Sequence, residues 1–128
     1  METIVIEIPS IKLEWSEWYP WHKYKLNRRT NPNAIKVPKQ PGVYEAKLIY
    51  DDECLTIGKS DNLHRRIVEC LVKGFYGHSA GERIRNNEDT AQIIIRWAIT
   101  DRPSCVEEEL HRQYVDRFDH LPKYTQRT

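Results

Sequence analysis

From residue 42 onwards, segments with the hydrophobic pattern of strands alternate with segments that have the pattern of helices. Segments 42–50 and 53–59 are rich in strand-forming residues and flank an acidic turn, which predicts two adjacent strands joined as a hairpin. Segment 91–100 predicts a further strand, because apolar side chains recur there at every second position. The side chains that share this face are those of Ile93, Ile95, Trp97 and Ile99.

Three helices are predicted between and after these strands. Asp61 is a favourable N-cap for a helix that ends just before Gly74. Ser79 and Glu82 have the spacing of a capping box and open a short helix. The last helix spans about 104–118. Because hairpin strands and helices are segregated in the order ββααβα, the pattern predicts a small α+β domain.

The first 37 residues differ in character from the rest of the chain. Four aromatic rings lie close together there, and the stretch 28–41, with its three prolines, indicates an extended loop. We expect residues 1–37 to form an N-terminal aromatic extension that packs on a domain spanning 38–128. Stacking of the rings on exposed bases is the alternative. The rings are those of Trp15, Trp18, Tyr19 and Trp21.

Charge and composition exclude several classes of protein. Twenty Lys and Arg against nineteen Asp and Glu give a net charge of +1, so any phosphate-binding surface must be a local patch. Three cysteines without a CxxC pair argue against a disulfide framework and a zinc site. No apolar run approaches the roughly 20 residues of a membrane span, and the N-terminus lacks a signal-peptide pattern. We therefore expect a cytoplasmic protein without a membrane partner.

Four short motifs follow one another on the predicted elements. They are Gly42-Val43-Tyr44 in the first strand, Thr56-Ile57-Gly58 in the second, Arg66 in the next helix and Glu107 in the last. Together, over about residues 38–125, they resemble the GIY-YIG nuclease family. The resemblance implies a small three-stranded mixed sheet flanked by helices. It also implies a metal-dependent endonuclease that hydrolyses DNA phosphodiester bonds.

The resemblance further implies a role for each motif residue. Tyr44 helps to deprotonate the attacking water, Arg66 holds the phosphate, and Glu107 binds one divalent metal ion, Mg²⁺ or Mn²⁺. An ordinary tyrosine has a pKa of about 10, so reaching neutral pH requires roughly 4 kcal/mol of differential stabilisation of the phenolate. A nearby metal ion and the Arg66 guanidinium are the sources that we expect.

Each motif residue also has a purely structural interpretation. Tyr44 can pack as an ordinary strand residue. Arg66 lies on the shoulder of its helix's buried face, where a guanidinium either reaches a cleft or stays on the surface. Glu107 lies near the centre of the inward face of the last helix, which favours a metal ligand. However, Ser104 precedes it at capping-box spacing, so Glu107 could simply bond the helix start.

Five further residues are weaker candidates for the site. His78 contacts phosphate or assists proton transfer in one interpretation, and is an ordinary loop histidine before a helix in the other. Four basic residues line a DNA groove in one interpretation and are solvated surface charges in the other. These basic residues are Lys59, Arg65, Arg83 and Arg85.

Two positions depart from the family pattern. Thr56 stands where the family has its second tyrosine, and Thr125 stands where the resemblance calls for asparagine. Threonine can order water at the site but cannot act as a phenol acid. These departures favour a second hypothesis, a catalytically weakened or inactive module that binds DNA or a protein partner. A third hypothesis is a thiol or metal enzyme that uses Cys54, Cys70, Cys105 or nearby histidines.

Overall fold

The computed structural model describes residues 3–5 and 11–125 of the chain. Within these ranges, four strands form one antiparallel sheet in the order β1-β4-β2-β3. The strands are β1 at Tyr19–Pro20, β2 at Gly42–Leu48, β3 at Cys54–Ser60 and β4 at Ile93–Ile99. The predicted α+β class is thereby confirmed.

The prediction of a three-stranded mixed sheet is wrong, because every strand pair is antiparallel and the N-terminal extension supplies β1. Ser16 donates its backbone N–H to the Trp97 carbonyl at 2.8 Å, and Trp97 donates its N–H to Ser16 Oγ at 3.0 Å. These bonds satisfy the outer edge of β4, which would otherwise present unpaired backbone groups. A strand of two residues, one of them Pro20, carries no alternation that could have predicted it.

Helical segments connect and cover the strands. They are a 3₁₀-helix at Trp21–Lys25, a π-helix at Arg65–Val72, α1 at Ser79–Asn87, a 3₁₀-helix at Thr90–Gln92 and α2 at Pro103–Phe118. The helix predicted to follow residue 61 therefore forms, but its hydrogen bonds run mainly from i to i+5. None of the helices in the described ranges is long and apolar enough to cross a membrane.

Two helix starts differ from the caps that the sequence predicts. Asn62 Oδ1, rather than the Asp61 carboxylate, accepts the Arg65 N–H at 3.1 Å. The imidazole of His78, rather than the Ser79 hydroxyl, caps α1. In both cases the residue next to the expected cap supplies the acceptor, because the backbone direction at the turn decides which side chain reaches the free N–H groups.

Both faces of the sheet are covered. On one face the π-helix, α1 and the 3₁₀-helix of the extension pack against β2 and β4, and the largest buried side chains there include Trp21, Tyr24, Ile67, Leu71 and Ile95. On the other face α2 packs through Val106 and Tyr114. Since β3 is an edge strand, groups from both layers can meet beside it.

Candidate active site

A cavity of about 230 Å³ opens beside β3, and we call it the tyrosine cavity. Strands, helices and the C-terminal segment each contribute side chains to its wall. The residues discussed below that line it are Tyr44, Thr56, Gly58, Lys59, Arg66, His78, Glu107, Tyr124 and Thr125. The predicted catalytic residues therefore lie around one space together with Lys59; they are Tyr44, Thr56, Arg66, His78 and Glu107. Arg65, Arg83 and Arg85 are outside its lining.

The phenol of Tyr44 reaches the cavity across a glycine. Tyr44 on β2 pairs directly with Gly58 on β3. A Cβ atom at position 58 would lie only 2.4 Å from the Tyr44 hydroxyl oxygen. Glycine is therefore required here, because any side chain would push the ring out of its position. The glycine of the second motif and the tyrosine of the first are thus parts of a single packing arrangement.

Burial decides the protonation state of Tyr44. Its side chain is 2% exposed, and desolvation is the largest influence on the pKa, which it raises well above the ordinary value. The Arg66 guanidinium lowers the pKa, as expected from the sequence, but the Glu107 carboxylate raises it. At neutral pH the Tyr44 phenol is therefore fully protonated, and Arg66 by itself does not make it a base.

Arg66 reaches the cavity from the first turn of the π-helix. The side chains of Ile67 and Leu71 are fully buried on the core side, whereas Arg65 is exposed. Arg66 lies between these extremes, half-buried on the cavity wall. Tyr44 and His78 line the same cavity, and the positive charge of Arg66 lowers the pKa of both. A planar guanidinium with free donors is well suited to phosphate oxygens.

Glu107 is a buried carboxylate, 7% exposed, in the first turns of α2. The capping box with Ser104 does not form, because α2 begins at Pro103 without a side-chain cap. Ser104 Oγ instead accepts a hydrogen bond from Lys59 Nζ at 3.0 Å. Among the described residues, the ion-pair partner of Glu107 is this same Lys59, at 4.0 Å. That distance exceeds a hydrogen bond, so the carboxylate oxygens keep lone pairs for a ligand.

His78 has two structural roles at once. Its Nδ1 accepts the Gly81 N–H at 3.1 Å and caps α1, while the ring lines the cavity. Burial is the largest cause that lowers its pKa to about 4, and the charges of Arg66 and Arg85 act in the same direction. The imidazole is therefore neutral at pH 7. With Nδ1 used as an acceptor, Nε2 carries the proton and is the group free to donate.

The two threonines that depart from the family pattern contact each other. Thr56 Oγ1 and Thr125 Oγ1 are 3.3 Å apart, and Thr125 Oγ1 also accepts the Ile57 N–H at 3.0 Å. Together with a bond from the Tyr124 N–H to the Leu55 carbonyl at 2.8 Å, they attach the C-terminal segment to the edge of β3. The two departures are therefore one coupled feature, which their separation of 69 positions concealed.

Tyr124 also lines the tyrosine cavity, although no motif in the sequence predicts it as a site residue. Its side chain is 3% exposed, and its hydroxyl donates a hydrogen bond to Glu88 Oε2, which Lys123 also contacts. The Arg83 guanidinium lies 5.1 Å from the centre of its ring. The one signal in the sequence was its position directly before Thr125.

The remaining basic candidates lie outside the cavity lining. Arg65 places its guanidinium 4.8 Å from the centre of the Tyr76 ring. Arg85 donates hydrogen bonds to the Cys70 and Leu71 carbonyls at 3.1 and 2.6 Å. This pairing satisfies carbonyl groups of the π-helix and accounts for Arg85 without a nucleic acid.

The donor set of the cavity fits a hard divalent ion better than zinc. No group of three or more His, Cys, Asp or Glu side chains suited to a metal ion occurs in the described part of the chain. Mg²⁺ commonly binds through one or two carboxylates, water and substrate phosphates, so a single accessible carboxylate at Glu107 is compatible with it.

The Cys54 thiol, a candidate of the third hypothesis, is a poor nucleophile. Burial and the neighbouring Glu45 raise its pKa to about 12.

A larger cavity of about 440 Å³ lies on the α2 side of the sheet, and we call it the tryptophan cavity. The Arg96 guanidinium lies between the rings of Trp15 and Trp18, at 4.2 and 4.5 Å from their centres. Arg96 also donates a hydrogen bond to Glu45 Oε1 at 2.9 Å. The buried carboxylate of this cavity is therefore already paired with Arg96, whereas Glu107 has no such close partner among the described residues, so the smaller tyrosine cavity is the stronger candidate for chemistry.

Comparisons with known proteins add no assignment. No protein-family model, curated protein or solved structure gives a significant match to the chain. The likeness to GIY-YIG nucleases therefore rests on the motifs in the sequence. The geometry of the tyrosine cavity is an independent observation on the same residues.

Proposed function

We propose that the protein is a metal-dependent endonuclease that hydrolyses DNA phosphodiester bonds in the tyrosine cavity. The observation that carries the proposal is the convergence of Tyr44, Arg66 and Glu107 on one small polar cavity. Phosphodiester hydrolysis needs a held nucleophile, cations on the phosphoryl oxygens and help for the leaving oxygen. The cavity wall contains a group suited to each need.

Two cationic side chains can bind the substrate phosphate. Arg66 offers a planar fork that matches two phosphate oxygens, and Lys59 offers a mobile ammonium beside Glu107. Lys59 is half exposed, so its ammonium can leave Ser104 and follow the substrate. These contacts read the backbone of a nucleic acid and not its sequence.

Glu107 is the residue that would hold Mg²⁺ or Mn²⁺. Its carboxylate is buried, faces the cavity and is only distantly paired with Lys59. When bound, such an ion supplies positive charge to the phosphoryl oxygens and lowers the pKa of the attacking water. A single carboxylate would hold the ion together with water and the phosphate oxygens of the substrate.

Tyr44 and His78 act in the proposal as neutral hydrogen-bonding groups. Because the Tyr44 phenol is protonated at neutral pH, its oxygen orients the attacking water through its lone pairs. His78 is also neutral, and its Nε2–H can donate to an oxygen of the phosphate or of the leaving group. This assignment differs from the expectation of a resident phenolate, since burial opposes charge on Tyr44 more strongly than Arg66 favours it.

A second candidate is a DNA-binding or protein-binding module that has lost turnover. The contact between the Thr56 and Thr125 hydroxyls favours it, because both groups help to attach the C-terminal segment to β3. A threonine pair used in this way supplies neither a phenol acid nor the long reach of an amide at this wall of the cavity.

Cleavage of a DNA panel distinguishes the two candidates. Purified protein is incubated with supercoiled, branched and single-stranded DNA in Mg²⁺, Mn²⁺ or EDTA. We expect metal-dependent cleavage that Glu107→Gln abolishes. Glu108→Gln, a change of an exposed carboxylate on the same helix, should leave cleavage intact. Salt-sensitive DNA binding without cleavage of any substrate would overturn the nuclease and support the binding module.

A further inference from the structure

Two large aromatic side chains are exposed in the loop between the π-helix and α1. Phe75 is 67% exposed and Tyr76 is 48% exposed. Exposed neighbouring aromatic rings keep apolar area in water, which is commonly a sign of a binding surface. We call this pair the aromatic loop.

Hydrogen bonds hold the backbone at both ends of the aromatic loop. Gly74 has φ of 70°, a left-handed conformation that suits glycine, and it ends the helix. The Phe75 N–H then bonds the Glu69 carbonyl at 2.8 Å. At the other end His78 caps α1 through Gly81. The rings are therefore presented from a defined turn.

A cation lies beside each ring. The Arg65 guanidinium is 4.8 Å from the centre of the Tyr76 ring, and Lys73 Nζ is 5.7 Å from the centre of the Phe75 ring. Aromatic faces for stacking combined with cations for phosphates are the usual means of binding unpaired nucleotides. An apolar protein partner would have no use for this positive charge.

The aromatic loop adjoins the tyrosine cavity through two connections. Arg65, which contacts Tyr76, directly precedes Arg66 in the chain, and Arg66 lies on the cavity wall. Tyr76 is also separated from His78, another wall residue, by Gly77 alone. A strand whose phosphate is held by Arg66 can therefore extend its next bases towards Tyr76, and Phe75 directly precedes Tyr76 in the same loop.

The tryptophan cavity does not offer an equivalent surface. Trp15 and Trp18 are half-buried, and the Arg96 guanidinium between their rings is already paired with Glu45, so it does not offer its charge to a phosphate. The exposed rings of Phe75 and Tyr76 are therefore better placed for base stacking than the half-buried tryptophans.

We propose that Phe75 and Tyr76 stack on unpaired bases next to the phosphodiester in the tyrosine cavity. The substrate class is then DNA with unpaired nucleotides, such as bulges or flaps, rather than perfect duplex. This inference rests on the proposed nuclease function for the position of the phosphate. Its test, however, measures binding separately from cleavage.

The test compares two fluorescent duplexes of the same sequence, one fully paired and one with a short bulge of unpaired nucleotides. Fluorescence anisotropy in EDTA gives the two affinities, and added Mn²⁺ gives the two cleavage rates. The double variant Phe75→Leu with Tyr76→Leu keeps apolar bulk but loses the aromatic faces. Tyr50→Leu is the matched control, since Tyr50 is 74% exposed in the far turn of the β2–β3 hairpin.

We expect wild type and Tyr50→Leu to favour the bulged duplex. In the double variant the affinity for the bulged duplex should fall about tenfold or more, the effect of losing base–aromatic stacking, while the affinity for paired DNA is unchanged. A variant with Trp at both positions should retain the preference.

Three results would overturn stacking: no preference in wild type, an unchanged preference in the double variant, or equal losses for both duplexes. Loss of self-association in the double variant with unchanged DNA binding would assign the loop to a protein interface instead. If wild type cleaves neither DNA but the bulge preference still depends on the two rings, stacking stands and the nuclease proposal fails.

Discussion

Two buried glutamates in this small fold have opposite surroundings. Glu45, 8% exposed, accepts a hydrogen bond from Arg96 at 2.9 Å and another from the Cys54 thiol at 3.3 Å. Glu107, 7% exposed, has its ion-pair partner Lys59 at 4.0 Å within the described residues. A buried charge without close partners lowers the stability of the fold, and such destabilising groups are found mainly at functional sites. Glu45 is therefore a structural carboxylate, and Glu107 is a carboxylate available to a ligand.

Two tyrosines, Tyr114 near Glu45 in the tryptophan cavity and Tyr44 near Glu107 in the tyrosine cavity, differ in the same way. The Tyr114 hydroxyl accepts the backbone N–H of Cys54 at 3.1 Å and so completes the structure. The Tyr44 hydroxyl lies over Gly58 and faces the tyrosine cavity. Both tyrosines are buried, so burial does not distinguish them, whereas their surroundings do.

The largest expected effect is on turnover in Tyr44→Phe. Loss of the hydroxyl, which orients the attacking water, should lower the cleavage rate by about 10²-fold, the cost of misplacing a reacting group by about 1 Å. Tyr114→Phe should leave the rate unchanged but lower the free energy of unfolding by about 1 to 3 kcal/mol, because the Cys54 N–H loses its acceptor. Single-turnover cleavage and urea unfolding of both variants measure this. Equal rates for wild type and Tyr44→Phe, at matched DNA affinity, would contradict the comparison.

Substitutions of the two glutamates should have different effects on the free energy of unfolding. Glu45→Gln leaves the Arg96 guanidinium without its charge partner and should lower the free energy of unfolding by about 2 kcal/mol, less than for a fully buried pair because Arg96 is partly exposed. Glu107→Gln should leave stability unchanged or raise it by up to about 1 kcal/mol, since a loosely paired buried charge is removed. Urea unfolding at pH 7 checks both values. A similar loss in the two variants would show that Glu107 is also structural.

The smallest effect concerns pH and His78. Because its folded pKa is lowered to about 4 from an ordinary 6.5, the neutral form is favoured in the fold. The resulting contribution of His78 to the free energy of unfolding is present above pH 6.5 and is lost as the pH falls towards 4. His78→Asn keeps a capping side chain but does not titrate. Wild type should therefore lose about 1 to 2 kcal/mol relative to the variant between pH 7 and pH 4, a value reduced for partial exposure of the ring.

His120→Asn is the control for this titration, because its pKa shift has the opposite sign. The Leu121 carbonyl and Glu53 raise the pKa of His120, so its contribution is present at low pH and is lost as the pH rises through the folded pKa. Parallel pH profiles of stability for wild type and His78→Asn would show that burial of His78 does not govern its protonation.

Local sequence was sufficient for much of the fold. The alternation at 93–99 predicted β4, since side chains in a strand repeat every two residues. The two strand-rich segments 42–50 and 53–59 around an acidic turn predicted the hairpin of β2 and β3. Helical spacing also separated Arg66 from the exposed Arg65. β1, the π-type hydrogen bonding and the caps at Asn62 and His78 were not predicted, because they depend on backbone geometry that leaves no periodic signal.

The sequence by itself determined the α+β class, the order of the main strands and helices, and the residue types from which a phosphodiester site can be built. Only the tertiary structure decided that Tyr44 is buried and protonated, that Glu107 has no close partner within residues 3–5 and 11–125, and that Thr56 contacts Thr125. The physical reason is that burial, pKa and hydrogen bonding depend on groups far apart in the chain. Residues 56 and 125 or 44 and 107 become neighbours only when strands, α2 and the C-terminal segment pack together.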